Sequence, residues 1–169
     1  MTGLNGRVAD LWMADAERFH RGLLGASTFF ERLLHEALDG IGLTPSQYYV
    51  LRTIGNSEEG ALSPRELQRS FVRKRNLTET VDRMVRDGLV VRSPHPRDGR
   101  SIRVALTARG NALLTPATEI YSASMHRLLD GRSFKDLRRA TTLLGELTDD
   151  LRAELYAELP PGSAGQERR

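Results

Sequence analysis

The chain has 169 residues, of which 39% are hydrophobic and 28% charged, so it is long enough for one domain with a modest core. It has no cysteine, which excludes disulfides, thiol redox sensing and cysteine zinc sites. Its four histidines show no metal-ligand spacing, so no metal or other cofactor is expected. Without a signal core or an apolar run of membrane-spanning length, we expect a cytoplasmic protein with no membrane partner.

The net charge of +3 is unevenly distributed. Between Arg65 and Arg109 there are twelve Lys and Arg residues against five Asp and Glu residues, a local balance of +7, whereas the remainder has a balance of −4. A basic middle on an acidic frame is typical of proteins that bind polyanions. On charge alone, a chance cluster on a solvated face is the alternative.

The hydrophobic pattern alternates between helical and strand periods along the chain. In chain order it predicts helices over 8–39, 44–55 and 64–70, a short extended piece at 61–62, a fourth helix over 73–87, strands at 89–91 and 102–106, and helices after Thr107 and after Ser133. Thr44-Pro45 and Ser63-Pro64 are typical helix starts, and Glu66 lies in the capping-box position. The low-complexity tail PPGSAGQERR, from Pro160, is predicted to be disordered.

The predicted fourth helix is amphipathic, and Gly88 ends it at a C′ position. At 100° per residue, one side carries Leu77, Val81, Met84 and Val85. The opposite side carries Arg75, Glu79, Arg83 and Arg86. The two strands that follow form a hairpin with a charged connection, RSPHPRDGR.

This order predicts a mainly α fold with a small β-hairpin, in which a winged helix-turn-helix core is flanked by N- and C-terminal dimerisation helices. The predicted divisions are an N-terminal dimerisation helix at 1–42, the winged helix-turn-helix DNA-binding domain at 43–110, C-terminal dimerisation helices at 111–159 and the tail at 160–169. The flanking helices carry apolar stripes that a domain of this size cannot cover alone. A homodimer joined through both ends of the chain is therefore expected.

Three segments carry a resemblance to a known family. Residues 81–110, VDRMVRDGLVVRSPHPRDGRSIRVALTARG, resemble the recognition-helix end and wing of the MarR-family (multiple-antibiotic-resistance) regulators. LTPSQYYVL at 43–51 and LSPREL at 62–67 are similar to that family's openings of the second and third helices. The similarity in element order extends over about 8–159.

The resemblance implies a sequence-specific transcription regulator, most simply a repressor, that binds a pseudo-palindromic double-stranded DNA operator as a homodimer. In such proteins the fourth helix enters the major groove and the wing reaches the adjacent minor groove. It also implies that Asp98 fixes the geometry of Arg100, which enters the minor groove. Two positions depart from the family pattern: Arg73 lies where a Ser or Thr cap is common, and Gly99 replaces a frequent second arginine.

The residue types in and around the fourth helix also suit DNA without the family. Asn pairs with adenine, Arg with guanine, and Glu accepts from cytosine, while basic residues at a helix N-terminus favour phosphate. Arg92 and Arg97 are expected at phosphates, unless they only keep the hairpin tip soluble, and no specific role is expected for Arg103 or Arg109. The expected DNA-binding residues are Arg65, Arg69, Arg73, Lys74, Arg75, Asn76, Thr78, Glu79, Arg83, Arg92, Arg97, Asp98 and Arg100.

Many members of the family bind small aromatic or phenolic acids between the dimerisation helices and the winged domain, so the resemblance implies such an effector here. Aromatic faces and a cation suit an aromatic carboxylate. The expected liners are Trp12, Phe30, His35, Tyr48, Tyr49 and Arg52. The alternative is that each of them belongs to the core or to a subunit interface.

Two other classes of function agree less well with the sequence. An enzyme is disfavoured because the sequence has no Gly-rich phosphate loop, no GxSxG motif, no metal-spaced histidines and no cysteine nucleophile. A winged helix used only for protein contacts would need neither the basic middle nor the Asp98 and Arg100 pair.

Overall fold

A computed structural model of the chain describes residues 2–70, 76–95 and 98–157. For residues 2–11, 98–100, 152 and 155–157 it describes the backbone alone. In chain order the elements are α1 (Thr2–Asp39), α2 (Pro45–Gly55), β1 (Ala61–Leu62), α3 (Pro64–Ser70), α4 (Leu77–Arg86), β2 (Val90–His95), β3 (Asp98–Leu106), α5 (Ala108–Leu129) and α6 (Phe134–Ala157). This succession confirms the predicted element order and the mainly helical fold with a small sheet.

Both predicted helix starts are confirmed, and each is a full capping box. At the start of α2, the Thr44 hydroxyl accepts from the Gln47 amide at 3.3 Å, and the Gln47 side chain accepts from the Thr44 amide at 2.9 Å. At the start of α3, the Ser63 amide donates to the Glu66 carboxylate at 2.7 Å, and the Glu66 amide donates to the Ser63 hydroxyl at 3.3 Å. These bonds satisfy backbone amides that have no partner within the helix.

The beginning of the fourth helix differs from the prediction. Helix α4 begins at Leu77, and Asn76 before it has a left-handed backbone with φ of 71°. The prediction that Asn76 is a helical residue is wrong, because a left-handed residue cannot continue a right-handed helix. The predicted start at Arg73 lies outside the described residues. The predicted end is confirmed, since Gly88 has φ of 68°.

The three strands form one antiparallel sheet in the order β1-β3-β2. Strand β2 reaches His95 and β3 begins at Asp98, so the hairpin is longer than predicted and its charged segment is largely strand. Pro94 is tolerated within β2 because β2 is an edge strand, the position in a sheet where proline is usually found. Val104 is buried, whereas Ile102 is 51% exposed, so only the root of the hairpin packs on the core.

Helix α2 lies at the centre of the hydrophobic core. Its residues Tyr48, Val50, Leu51 and Ile54 are fully buried. Around them are Leu34 and Leu38 of α1, Leu67 of α3, Val81 and Met84 of α4, and Val90 and Val104 of the sheet. Val85, predicted on the buried side of α4, is 37% exposed, because the buried stripe centres on Leu77, Val81 and Met84.

By contacts, the chain divides into two compact units, one ending at Arg127 and one beginning at Leu128. In the first unit, α1 exposes Trp12, Met13, Phe19, Leu23, Leu24 and Phe29. In the second, α6 begins with the predicted Ser133 cap, whose hydroxyl accepts from the Asp136 amide at 3.1 Å. This helix exposes Phe134, Leu143, Leu144 and Leu151. The predicted apolar stripes are therefore exposed only in part: Trp12, Phe19 and Leu23 of α1 and Leu144 and Leu151 of α6 are exposed, whereas Leu34 of the α1 stripe is buried in the core.

Candidate nucleic-acid interface

Helix α4 has one buried side and one polar, exposed side. Leu77, Val81 and Met84 fix the helix on the core, with exposures of 8%, 4% and 0%. The predicted base-reading residues of this helix, Thr78, Glu79 and Arg83, are all exposed. Asn76, at its N-cap, is also exposed and makes no side-chain capping hydrogen bond. Four of the predicted DNA-binding residues thus come together at one exposed surface.

Two of these residues form an ion pair on the helix surface. A guanidinium nitrogen of Arg83 lies 3.7 Å from a carboxylate oxygen of Glu79, one helical turn away. Both side chains remain largely exposed, at 56% and 67%. The pair therefore lies on the surface, open to a ligand.

The wing is tied to α4 by a second ion pair, which the sequence did not reveal. Arg92 on β2 lies 2.6 Å from the carboxylate of Asp82 on α4, with the two side chains 39% and 40% exposed. Asp82 lies on the flank of the helix that faces the hairpin. Arg92, predicted at a phosphate, is thus engaged within the protein, and its guanidinium orients the wing strand against the helix.

Helix α3 presents the remaining described cations of the predicted set. Leu67 is buried and fixes this seven-residue helix on the core, while Arg65 and Arg69 are exposed. Residues on a short helix that precedes the recognition helix are suited to backbone phosphates, since the first helix of such a motif crosses the backbone.

Arg103, for which no specific role was expected, holds the base of the sheet together. Its Nη2 donates to the Ala61 carbonyl oxygen at 2.6 Å and lies 2.7 Å from the Glu59 carboxylate. The side chain is only 11% exposed. The alternation of Arg103 with Ile102 and Val104 places it on the opposite face of β3 from them, but it gives no sign of these two partners.

The Leu-Thr-x-x-Gly motif of residues 106–110 is a close joint between the sheet and α5. The Thr107 hydroxyl caps α5 by accepting from the Gly110 amide at 3.0 Å, and the Thr107 amide donates to the Leu89 carbonyl oxygen at 3.1 Å. A Cβ on Gly110 would come within 2.1 Å of that same oxygen. The motif therefore requires glycine for close backbone approach.

Six predicted DNA-binding residues fall wholly or partly outside the description. Arg73, Lys74, Arg75 and Arg97 lie outside the described residues, and so do the side chains of Asp98 and Arg100. Their contacts with DNA stay predictions.

The predicted effector-binding residues form two groups that share Tyr49, and the first is an aromatic cluster. The Tyr121 ring of α5 lies 5.3 Å from that of Tyr48, 6.5 Å from that of Tyr49 and 6.2 Å from that of Phe30. The Arg52 guanidinium lies 4.9 Å from the centre of the Tyr121 ring. Burial and the neighbouring Tyr121 raise the pKa of Tyr49 to about 12. Tyr48 and Phe30 thus pack against other rings of the same chain.

The second group lines an open groove between α1, α2 and α4, with a volume of about 1400 Å³. His35 and Tyr49 line this groove, and its wall on α4 includes Glu79 and Arg83. Trp12 is not part of either group, since it lies eighteen residues before Phe30 along α1, roughly 27 Å at 1.5 Å per residue.

Two other kinds of feature are absent from the described parts of the chain. In those parts no helix has both the length and the apolar character needed to cross a bilayer. Over the same residues, no three His, Asp or Glu side chains lie together in a way that would hold a metal ion.

Known proteins resemble the chain both in sequence and in structure. A MarR family model matches residues 41–101. The chain is 28% identical over 130 residues to the HTH-type transcriptional repressor YetL of Bacillus subtilis, covering 76% of this chain and 78% of that protein. It is 33% identical over 100 residues to the multiple antibiotic resistance protein MarR of Escherichia coli, covering 59% and 68%.

The solved structures agree. A mutant MarR of Escherichia coli complexed with operator DNA matches with a TM-score of 0.70 and 26% identity, covering 79% of this chain and 95% of that chain. The matching proteins are transcription regulators rather than enzymes, which confirms that the chain does not belong to an enzyme family. The chain belongs to the MarR family of DNA-binding transcriptional regulators, as the wing and helix-opening motifs predicted.

Proposed function

We propose that the protein is a cytoplasmic, homodimeric repressor that binds a pseudo-palindromic operator. In this proposal α4 enters the major groove, and the β2–β3 wing reaches the adjacent minor groove. The observation that carries the proposal is the ion pair of Asp82 with Arg92, which joins the exposed polar face of α4 to the wing at 2.6 Å. A helix and a hairpin held together in a segment with a balance of +7 suit two neighbouring DNA grooves.

Properties of two relatives support the operator and the repressor role. The MarR structure with 26% identity contains operator DNA, and YetL is a transcriptional repressor. In this proposal, the DNA-binding residues among the described ones are Arg65, Arg69, Asn76, Thr78, Glu79 and Arg83. Arg73, Lys74, Arg75, Arg97, Asp98 and Arg100 complete the proposed set.

The uncovered apolar residues of α1 and α6 support the homodimer. Phe29 is 73% exposed and Leu151 57% exposed, and side chains of this kind favour burial against a partner. A symmetric dimer would place two α4 helices about one turn of DNA apart, which suits an inverted repeat.

A pair of α6 variants tests the dimer. Leu144→Glu combined with Leu151→Glu places charges on the apolar stripe of α6, so we expect a monomer in light scattering after size exclusion. Thr142→Glu is the matched control, because it lies on the opposite side of the same helix, about 160–180° from both leucines. A dimer that persists in the double variant would exclude α6 from the interface.

The function itself is tested by binding to duplex DNA. The protein is incubated with fragments of its source genome, and bound fragments are sequenced and then titrated at several salt concentrations. We expect an inverted repeat among the bound fragments, and an affinity that falls steeply with salt as counterions are released. Failure to enrich any sequence, with an affinity independent of salt, would contradict the proposal.

The groove between α1, α2 and α4 favours release by a small aromatic or phenolic effector. Glu79 and Arg83 line this groove and also belong to the exposed face of α4. An effector in the groove would therefore bind the DNA-free and the DNA-bound states of this face with different affinities. A panel of phenolic and aromatic carboxylates, tested for release of the selected DNA, checks this part. Tyr49→Phe and His35→Ala should weaken the effect of an active compound without changing DNA affinity in its absence.

A further inference from the structure

The exposed face of α4 contains an acid where a DNA-binding surface would gain from cations alone. Glu79 lies within the segment whose charge balance is +7, and its side chain is 67% exposed. The other acid of α4, Asp82, is accounted for by its ion pair with Arg92. A carboxylate facing DNA is repelled by phosphates, so it weakens binding unless it recognises a base.

The position of Glu79 on the helix places it on the outer side. With Leu77 at zero and 100° per residue, Glu79 lies at about 200° and Arg83 at about 240°. The buried residues Leu77, Val81 and Met84 cluster around zero. The pair therefore projects away from the core, on the side of α4 that also borders the open groove with α1 and α2.

The ion pair presents a hydrogen-bond acceptor and a fork of donors side by side, 3.7 Å apart. In the major groove, a C·G base pair offers the complementary pattern, with a donor at cytosine N4 and two acceptors at guanine O6 and N7. An adenine presents a donor beside its N7, which leaves an arginine fork with one acceptor. A thymine places a methyl group beside its single acceptor.

We propose that Glu79 and Arg83 together read one C·G base pair in each half-site. The carboxylate of Glu79 accepts from cytosine N4, and the guanidinium of Arg83 donates to O6 and N7 of the paired guanine. This inference rests on the proposed function, since it requires α4 in a major groove. The ion pair also restrains the Arg83 rotamers before binding, which lowers the entropy lost on recognition.

The pair has a second effect on specificity. Because Glu79 neutralises Arg83, it reduces attraction to phosphates at unrelated sequences. Specificity is the difference between the affinities for the operator and for unrelated DNA. A carboxylate in this position lowers the affinity for unrelated DNA.

The test uses a random-sequence duplex library, selected in parallel with the wild type, Glu79→Gln and Arg83→Lys. We expect the wild-type motif to contain a C·G pair at one symmetric position, preferred over other pairs by at least about tenfold. Both variants should lose that preference at the same position and retain the rest of the motif. Glu79→Gln should also bind unrelated duplexes a few-fold more tightly.

A matched control comes from α1. Glu17 and Arg21 form an ion pair with the same order, the same spacing and nearly the same distance, 3.6 Å. Glu17→Gln should leave every position of the motif unchanged, which separates base reading from a general effect of losing a helix ion pair. Thermal unfolding of all variants identifies any that fail to fold.

The outcomes are distinguishable. A wild type that selects no motif contradicts the proposed function itself. A motif that Glu79→Gln and Arg83→Lys leave unchanged, or that they alter at two different positions, overturns the shared reading of one base pair while the DNA-binding function stands.

Discussion

The Arg92 guanidinium and the Asp82 carboxylate are 2.6 Å apart. They join strand β2 to helix α4, two elements that a short turn separates in the sequence. Strand β2 begins only four residues after α4 ends, so the backbone already brings the two close. The ion pair adds an angular restraint near the middle of β2. Because both side chains are about 40% exposed, we expect this restraint to weaken as salt is added.

Removing the Asp82 charge distinguishes the effect of wing orientation on DNA binding from the effect of the surface's net charge. Asp82→Asn makes the surface more positive, which alone would tighten DNA binding. We expect the opposite, a loss of up to about fivefold, since an exposed ion pair contributes about 0.2–1 kcal/mol to holding the wing. Fluorescence anisotropy with labelled operator measures the change. Asp87→Asn, an equal charge change at the C-cap of α4, should not weaken binding; a loss shared by both variants would contradict the restraint.

Arg100 is expected to contribute to binding from the wing. Arg100→Ala should cost roughly 1–3 kcal/mol in operator affinity, because the family pattern places this residue in the minor groove, where the negative potential is strong. A gel-shift titration gives the affinity. Arg109→Ala removes the same charge from the exposed start of α5 and serves as the control. If Arg100→Ala binds as tightly as the control, the assignment of this arginine to the minor groove is wrong.

Gly110 should tolerate no side chain. Gly110→Ala places a Cβ 2.1 Å from the Leu89 carbonyl oxygen, so the backbone must move, at a cost of about 1–3 kcal/mol of stability. Gly145→Ala in α6 is the control, since a Cβ at that position would meet no atom within 4 Å and helix propensity favours alanine by up to about 1 kcal/mol. Urea unfolding compares the two. Equal stability of both variants would mean that the joint is looser than described.

The capping box of α3 predicts a pH dependence. Hydrogen bonds from the Ser63 backbone amide and side chain hold the pKa of Glu66 below its ordinary value of 4.5. The charged form is therefore favoured in the folded protein. Its contribution is fully present above pH 4.5 and is lost as the pH falls through the lower folded-state pKa.

Glu66→Gln isolates this contribution, because the amide does not titrate. We expect the wild type to be more stable than the variant at neutral pH by about 0.3–1 kcal/mol, the range for an exposed carboxylate in the first turn of a helix. The difference should shrink on acidification below pH 4.5. Urea titrations at several pH values measure it, and a constant difference over the acid range would rule out the carboxylate as its source.

Much of the fold follows from short-range signals in the sequence. The start of α2 at Thr44 and the end of α4 at Gly88 depend on local backbone chemistry, and both are predicted correctly. The start of α4 is not predicted correctly, because the helical period of the side chains gives no sign of the left-handed backbone at Asn76. The wing is longer than predicted, since Pro94 resembles a turn residue until the edge position of β2 is known.

The candidate site is predictable by residue type but not by pairing. The exposure of Glu79 and Arg83 follows from helical periodicity. The partners of Arg92 and Arg103 do not, because Asp82 and Glu59 lie on other elements and only the tertiary fold brings them close. The expected effector residues do not form one group for the same reason: the rings of Tyr48 and Phe30 pack near Tyr121, which the sequence does not single out.

The joint at Leu89 has a mechanical consequence. Its carbonyl oxygen receives the Thr107 amide and faces Gly110 at close range, so the root of the wing and the first turn of α5 are clamped to one peptide group. Helix α5 continues for 22 residues from that point and packs on the core through Leu113, Ala117 and Tyr121. The root of the wing and the start of α5 therefore share one attachment, so a substitution that displaces the Leu89 peptide displaces both.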